Sequence, residues 1–200
     1  MDRKRQERPS ELAARFEAVY ARDRDPWGFE SRFYERRKRA LSIASLPAER
    51  YRRAFEIGCS IGVMTEELAR RTDDLLAVDV SPLAVKHARE RLGDLSHVRI
   101  ERMEVPPDWP DGNFDLITVS EVGFFMGTAG LQQTARLTAA SLTPDGNVLL
   151  CHWRHPMSGW ELDGDDVHRI FIEHSDLKVL CEHTERDFRI DVLAKATPPR

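Results

Sequence analysis

The sequence predicts an α/β fold in which a mostly parallel sheet of seven strands carries helices on both faces and ends in an antiparallel C-terminal hairpin. Three observations predict it. Between residues 53 and 152, short apolar runs alternate with stretches of helical periodicity, the pattern of βα units in a parallel sheet. The first unit joins its strand to its helix through glycine-containing sequence, Glu56-Ile57-Gly58-Cys59-Ser60-Ile61-Gly62. The last two apolar runs, Lys178 to Thr184 and Phe188 to Ala194, are separated only by Glu185-Arg186-Asp187, a hairpin-sized connection.

Each element follows in chain order. Leu12, Phe16 and Val19 recur at helical spacing, Pro26 and Gly28 break the pattern, and a second helical stretch runs from Phe33 to Leu46, closed by Pro47. These two helices make an N-terminal extension over 1–50 in front of a core over 51–196, one domain overall. Arg53 to Gly58 reads as a strand and Val63 to Arg71 as a helix. The run Leu75-Leu76-Ala77-Val78 ends on Asp79, and Ser81 caps the next helix with Pro82 at its first position. Val98 to Ile100 is a short strand. Pro110-Asp111-Gly112-Asn113 turns the chain into the strand Phe114 to Val119. A helix is expected over Leu131 to Leu142, then a turn at Pro144-Asp145-Gly146, the strand Asn147 to His152, and a helix from Asp163 to His174. The tail Thr197 to Arg200 is expected to fray.

The 200 residues suffice for one well-buried core. A formal net charge of −4 and a pI near 6.0 supply no global attraction to nucleic acid or anionic membrane. No apolar run is long enough to span a bilayer, and the charged start Met1 to Arg8 does not read as a secretory signal, so the expected compartment is the cytoplasm. Cys59, Cys151 and Cys181 are odd in number and widely spaced, which predicts buried, reduced thiols. The cysteines and histidines lack metal-ligand spacing, so no metal site is expected.

In a parallel sheet, ligands bind at the carboxyl ends of the strands, where the Gly58 to Gly62 loop stands. Glu56, just before the first glycine, suits a cationic or amine-bearing ligand and would repel a pyrophosphate. Asp79 ends the next strand 21 residues beyond Gly58, near the spacing expected of a carboxylate that accepts both ribose hydroxyls. A nicotinamide-binding turn needs Gly-x-Gly-x-x-Gly, and Gly58-x-x-x-Gly62 lacks it.

Glu56-x-Gly58-x-Ser60-x-Gly62, Val78-Asp79-Val80-Ser81-Pro82, Asp111 to Leu116 and Leu142 to Gly146 resemble the motifs of the Rossmann-like class I S-adenosylmethionine-dependent methyltransferases, over about residues 52 to 152. Ser60 stands where that family has its middle glycine. The resemblance implies S-adenosyl-L-methionine as cofactor, a loop shaped by Gly58, Ser60 and Gly62, ribose held by Asp79, and adenine beside Met103 and Glu104. Met103 replaces the usual acid there. A narrower set, Asp25-Pro26-Trp27-Gly28-Phe29, Tyr34-Glu35, Lys38 and Ser120-Glu121-Val122, resembles the rhizobial NodS family, N-methyltransferases of the deacetylated glucosamine end of chitooligosaccharides. That resemblance implies an N-terminal helical lid with Trp27 near the cofactor. It also implies that Lys38 reaches the methionyl carboxylate, with Arg37 as the neighbouring alternative.

Glu121 directly follows the fourth strand, where a carboxylate accepts an amine hydrogen and orients the lone pair for methyl transfer. His152, at the end of the fifth strand, is the second candidate base, while Phe124, Phe125 and Trp153 could wall an acceptor site. The expected acceptor is a small molecule, a deacetylated amino sugar or another small amine. Small-molecule O-methylation and a non-catalytic module that senses the nucleoside are the competing readings, and the charge pattern favours no RNA substrate.

Overall fold

The strands β1 (Tyr51–Ile57), β2 (Thr72–Asp79), β3 (Val98–Arg102), β4 (Phe114–Ser120), β5 (Leu142–Trp153), β6 (Lys178–Thr184) and β7 (Phe188–Ala194) lie in the order β3-β2-β1-β4-β5-β7-β6. The computed structural model describes residues 11–196, so the charged start and the tail from Thr197 lie outside the described residues. Neighbours from β3 to β5 pair in parallel, and β7 pairs antiparallel with both β5 and β6. The expected hairpin is therefore present at one edge. The architecture is the expected Rossmann-like α/β fold, with helices α1 (Glu11–Arg22), α2 (Phe33–Ser45), α3 (Val63–Ala69), α4 (Pro82–Leu92), α5 (Gly127–Ser141) and α6 (Gly164–Ser175).

Period-two alternation divides the core. Phe55, Ile57, Leu76, Val78, Ile117 and Val119 pack on one face with Leu131, Val167 and Phe171. Ala54, Leu75, Ala77, Leu116, Leu149 and Cys151 pack on the other with Leu68, Val85 and Leu92. Burial on both faces explains why these strands read as continuous apolar runs.

Local chemistry fixes the helix starts. Ser81 Oγ accepts the Ala84 N–H at 3.2 Å, as an N-cap should. Glu17 of α1 adds a second cap from afar, accepting the Leu83 N–H at 3.1 Å and the Ser81 hydroxyl at 2.6 Å. Asp163 caps α6 through the Asp166 N–H.

Several boundaries differ from expectation. α3 stops at Ala69, because Thr72 to Asp74 join β2 beside β1. A 3-10 turn at Gly123–Met126 leads into α5, which starts at Gly127 rather than Leu131. Pro144-Asp145-Gly146 lies inside the span of β5 as an irregularity: Leu142 pairs with Phe114, and pairing resumes at Asn147 opposite Leu116. Cys59 and Cys151 are buried free thiols, whereas Cys181, on the edge strand β6, is partly exposed. Among the described residues, no helix is long and apolar enough to cross a membrane, and no cluster of His, Cys, Asp and Glu could hold a metal.

Candidate active site

A cavity of about 360 Å³ opens at the carboxyl ends of the strands and is covered by α1. The loop after β1 forms one wall. Its backbone alternates into left-handed conformation at Gly58, Ser60 and Gly62, with φ of +78°, +50° and +80°. Ser60 thus takes a glycine-like conformation with a side chain attached, at a cost of roughly 1–2 kcal/mol. Two contacts hold it there: Asp79 Oδ2 accepts the Ser60 N–H at 2.9 Å, and the Tyr20 hydroxyl donates to Ser60 Oγ at 2.6 Å. Gly58 is required by a close approach, since a Cβ there would lie 2.9 Å from a Val122 methyl.

Asp79 also accepts the Ser81 N–H at 2.9 Å. Burial raises its carboxyl to about 6, against these backbone donors. Met103, Glu104 and Trp27 line the same cavity, with Trp27 packed edge-on against Tyr20 at 5.6 Å.

Lys38 is almost fully buried in the floor, its Nζ 2.5 Å from Glu121 Oε1 and 2.9 Å from Glu35 Oε2. Burial opposes the ammonium charge, but the two carboxylates outweigh it and raise the pKa above the usual lysine value. Glu121 sits at φ +55°, an uncommon conformation for a side-chain-bearing residue, and accepts the Trp153 N–H at 3.1 and 3.2 Å through its two oxygens. Arg37 does not compete with Lys38: it points outward and pairs with Glu185 at 2.7 and 2.8 Å.

Three expected site residues do not line this cavity. Gly62 faces α4, where a Cβ would meet Leu92 at 2.8 Å and Ala88 at 3.1 Å, so it sets helix packing. Glu56 lies in an adjoining pocket of about 60 Å³ that shares Lys38, Gly58, Ser60 and Glu121 with the larger one. Its Oε2 is buried without a partner, and burial raises its carboxyl from 4.5 to about 7. A carboxyl raised on folding stabilises fully below its unfolded pKa, and that contribution is lost as pH rises through the folded value. Glu56→Gln is therefore expected to flatten the decline in thermal stability between pH 4.5 and 7, as read by unfolding at a series of pH values. An unchanged slope would show that Glu56 is not the group responsible.

His152, the second candidate base, is fully buried and does not reach the cavity. Its Nε2 accepts the Gly123 N–H at 3.2 Å, which puts its proton on Nδ1, facing His168 Nε2 at 3.1 Å. His168 Nδ1 then donates to Asp191 Oδ2 at 2.7 Å. Burial holds the His152 pKa well below the ordinary value, consistent with a neutral ring. His152 thus anchors the 3-10 turn through the Gly123 N–H.

Sequence reasoning missed Tyr20 and Glu17, and it named Glu35 within the narrower resemblance without giving it a role. Tyr20 and Glu17 do share the helical stripe of Ala13 and Phe16, a signal that the polar character of Glu17 obscured.

The family model of nodulation protein S (NodS) matches residues 16–159. Nodulation protein S of Rhizobium tropici is 30% identical over 127 residues, 62% of this chain and 53% of that protein. The Sinorhizobium fredii protein is 28% identical over 127 residues, covering 62% and 59%. The chain thus spans little more than half the length of these curated relatives. Among solved structures, a Pseudomonas syringae protein described as a candidate methyltransferase is 43% identical with a TM-score of 0.73, covering 82% of this chain and 100% of that one. The N-methyltransferase NodS of Bradyrhizobium japonicum, solved with S-adenosyl-L-homocysteine, has a TM-score of 0.84 at 23% identity, over 94% and 100% of the chains, a likeness of fold.

Proposed function

The chain belongs to the nodulation protein S family, and from that premise we propose that it is an S-adenosyl-L-methionine-dependent N-methyltransferase of a small amine. What supports this most is that the carboxylates of Asp79 and Glu121, at strand ends on either side of β1, open onto one cavity. The residues present fit the cofactor. Asp79 retains lone pairs for ribose hydroxyls beyond the two backbone donors it already accepts, and Met103 offers a thioether to an adenine face. The orphaned Glu56 Oε2 suits the ammonium of the methionyl part, and Lys38, which lines both pockets, would hold its carboxylate. Bound there, the cofactor supplies an electrophilic methyl group on a sulfonium.

Glu121 accepts an N–H of the acceptor amine and aims its lone pair. α1 serves as a lid, with Leu12, Phe16 and Tyr20 excluding water. The amino sugar implied by the family resemblance is one candidate for the amine. Because Lys38 already occupies Glu121, a module that binds the nucleoside without turnover is the second reading, and release of labelled methyl to an amine separates the two.

Asp79→Ala is expected to weaken S-adenosyl-L-homocysteine binding by at least about tenfold, the loss of one hydrogen bond to a charged acceptor. Titration calorimetry measures this, and unchanged affinity would remove Asp79 from the ribose site.

A further inference from the structure

On the β4 and β5 side of the cavity, the polar side chains of the lining are Tyr34, Glu35, Lys38, Ser120 and Glu121, of which Glu121, Lys38 and Glu35 meet in the floor. The rest of the lining there includes Leu12, Phe16, Phe124, Phe125, Met126 and Met157, none of which carries a hydroxyl or amide side chain. The rings brace one another. Phe16 and Phe125 meet edge-on at 4.8 Å, Phe124 and Phe125 at 4.6 Å, and Phe125 and Trp160 at 4.6 Å, with the Arg15 guanidinium 4.0 Å over Trp160. Trp153 also lines the cavity, with Tyr34 edge-on to it at 5.8 Å and His155 tilted against it at 4.7 Å.

From this arrangement we infer that the acceptor is an amine on an apolar body, aromatic or branched aliphatic, and not a polyhydroxylated sugar. The inference rests on the reading of the cavity as a methyl-transfer site and narrows its substrate. A sugar hydroxyl buried against these six apolar side chains, out of reach of Tyr34 and Ser120, finds no partner and loses its water, a penalty of about tenfold or more in affinity for each one. An apolar body gains from the same burial. Size agrees: about 360 Å³ lies near the lower end of ligand pockets, and the nucleoside must share it, so an oligosaccharide is not enclosed. Charge agrees as well, since Glu35, Asp79, Glu104 and Glu121 outnumber Arg32 and Lys38 in the lining and attract an acceptor that arrives as an ammonium ion. That ion gives one proton to solvent before reaction. The amine lone pair then forms the C–N bond as the C–S bond breaks with its electrons to sulfur, leaving a methylammonium product and the thioether.

The test compares 2-phenylethylamine with D-glucosamine, using the full chain and S-adenosyl-L-methionine, with methylated product read by mass spectrometry. Quenching of tryptophan fluorescence by each amine in the presence of S-adenosyl-L-homocysteine reports binding without turnover. The expected result is a kcat/KM for phenylethylamine at least about tenfold above that for glucosamine, with the same order in affinity. In Phe125→Ser, the phenylethylamine KM should rise several-fold while S-adenosyl-L-homocysteine affinity stays within about twofold, which also certifies the fold. Glucosamine preferred, both amines refused by a protein that binds S-adenosyl-L-homocysteine, or an unmoved KM in Phe125→Ser would each overturn the apolar acceptor. Failure of wild type to bind S-adenosyl-L-homocysteine would instead remove the methyl-transfer reading itself.

Discussion

Glu121→Gln is expected to lower kcat by about 10²- to 10⁴-fold, the range for loss of a positioned proton acceptor, while leaving S-adenosyl-L-homocysteine affinity within about twofold. The substitution is nearly isosteric. The amide oxygen can still accept from the Trp153 N–H or from Lys38, and Lys38 keeps Glu35 at 2.9 Å, so the floor stays assembled. What changes is the atom offered to the acceptor: an NH₂ group donates where the carboxylate accepted, and the amine lone pair turns toward it instead of toward the methyl carbon. The left-handed backbone at Glu121, φ +55°, fits a residue held in place for its side chain, because glycine would be free of strain there. Single-turnover kinetics with 2-phenylethylamine and calorimetry make the two measurements. If kcat survives, Glu121 is only the counter-ion of Lys38, and amine orientation must come from another group.

The parts of the site that were legible in the sequence are those whose chemistry is local. Asp79 ends an apolar run and precedes Ser81-Pro82, a strand stop and helix start written in neighbouring residues, and the spacing from Gly58 did the rest. Strand alternation and the hairpin were legible for the same reason. What escaped was decided across the fold. Tyr20 bonds Ser60 across 40 residues and Glu17 caps α4 across 64 and 66, and no periodicity encodes a partner at that distance. Gly127-Thr128-Ala129-Gly130 lacks helical propensity and apolar spacing, yet it forms the first turn of α5, with Thr128 bonded to Glu161 at 2.7 Å and the preceding turn anchored by His152. His152 looked reactive beside a strand end because the sequence does not reveal which face of β5 a side chain takes, and the packed His168 and Asp191 decide that.

Lys38→Met should destabilise the fold by about 3–5 kcal/mol at pH 8, the cost of removing one partner from a buried ion pair. Lys38 is 5% exposed and Glu35 9%, so water reaching them through the cavity solvates the two carboxylates poorly once the ammonium between Glu35 and Glu121 is gone. Burial already raises the Glu35 carboxyl above 4.5, and Lys38 is the largest influence holding it down. Without that cation the folded pKa climbs further. A carboxyl raised in the folded state contributes stability below its unfolded pKa and loses it as pH rises through the folded one, so the deficit should be small near pH 4.5 and grow toward neutrality. Urea unfolding at pH 5 and pH 8 reads the difference, and Lys38→Met with Glu35→Gln should recover much of the loss at the higher pH by removing one of the two facing charges. A deficit below about 1 kcal/mol at pH 8, in the range of an exposed pair, would mean that the three groups do not act as a buried unit. Weak S-adenosyl-L-homocysteine binding that persists in the recovered double variant, but not in Glu35→Gln alone, would separate a second role from the first, because the two variants then differ only by the cation proposed for the methionyl carboxylate.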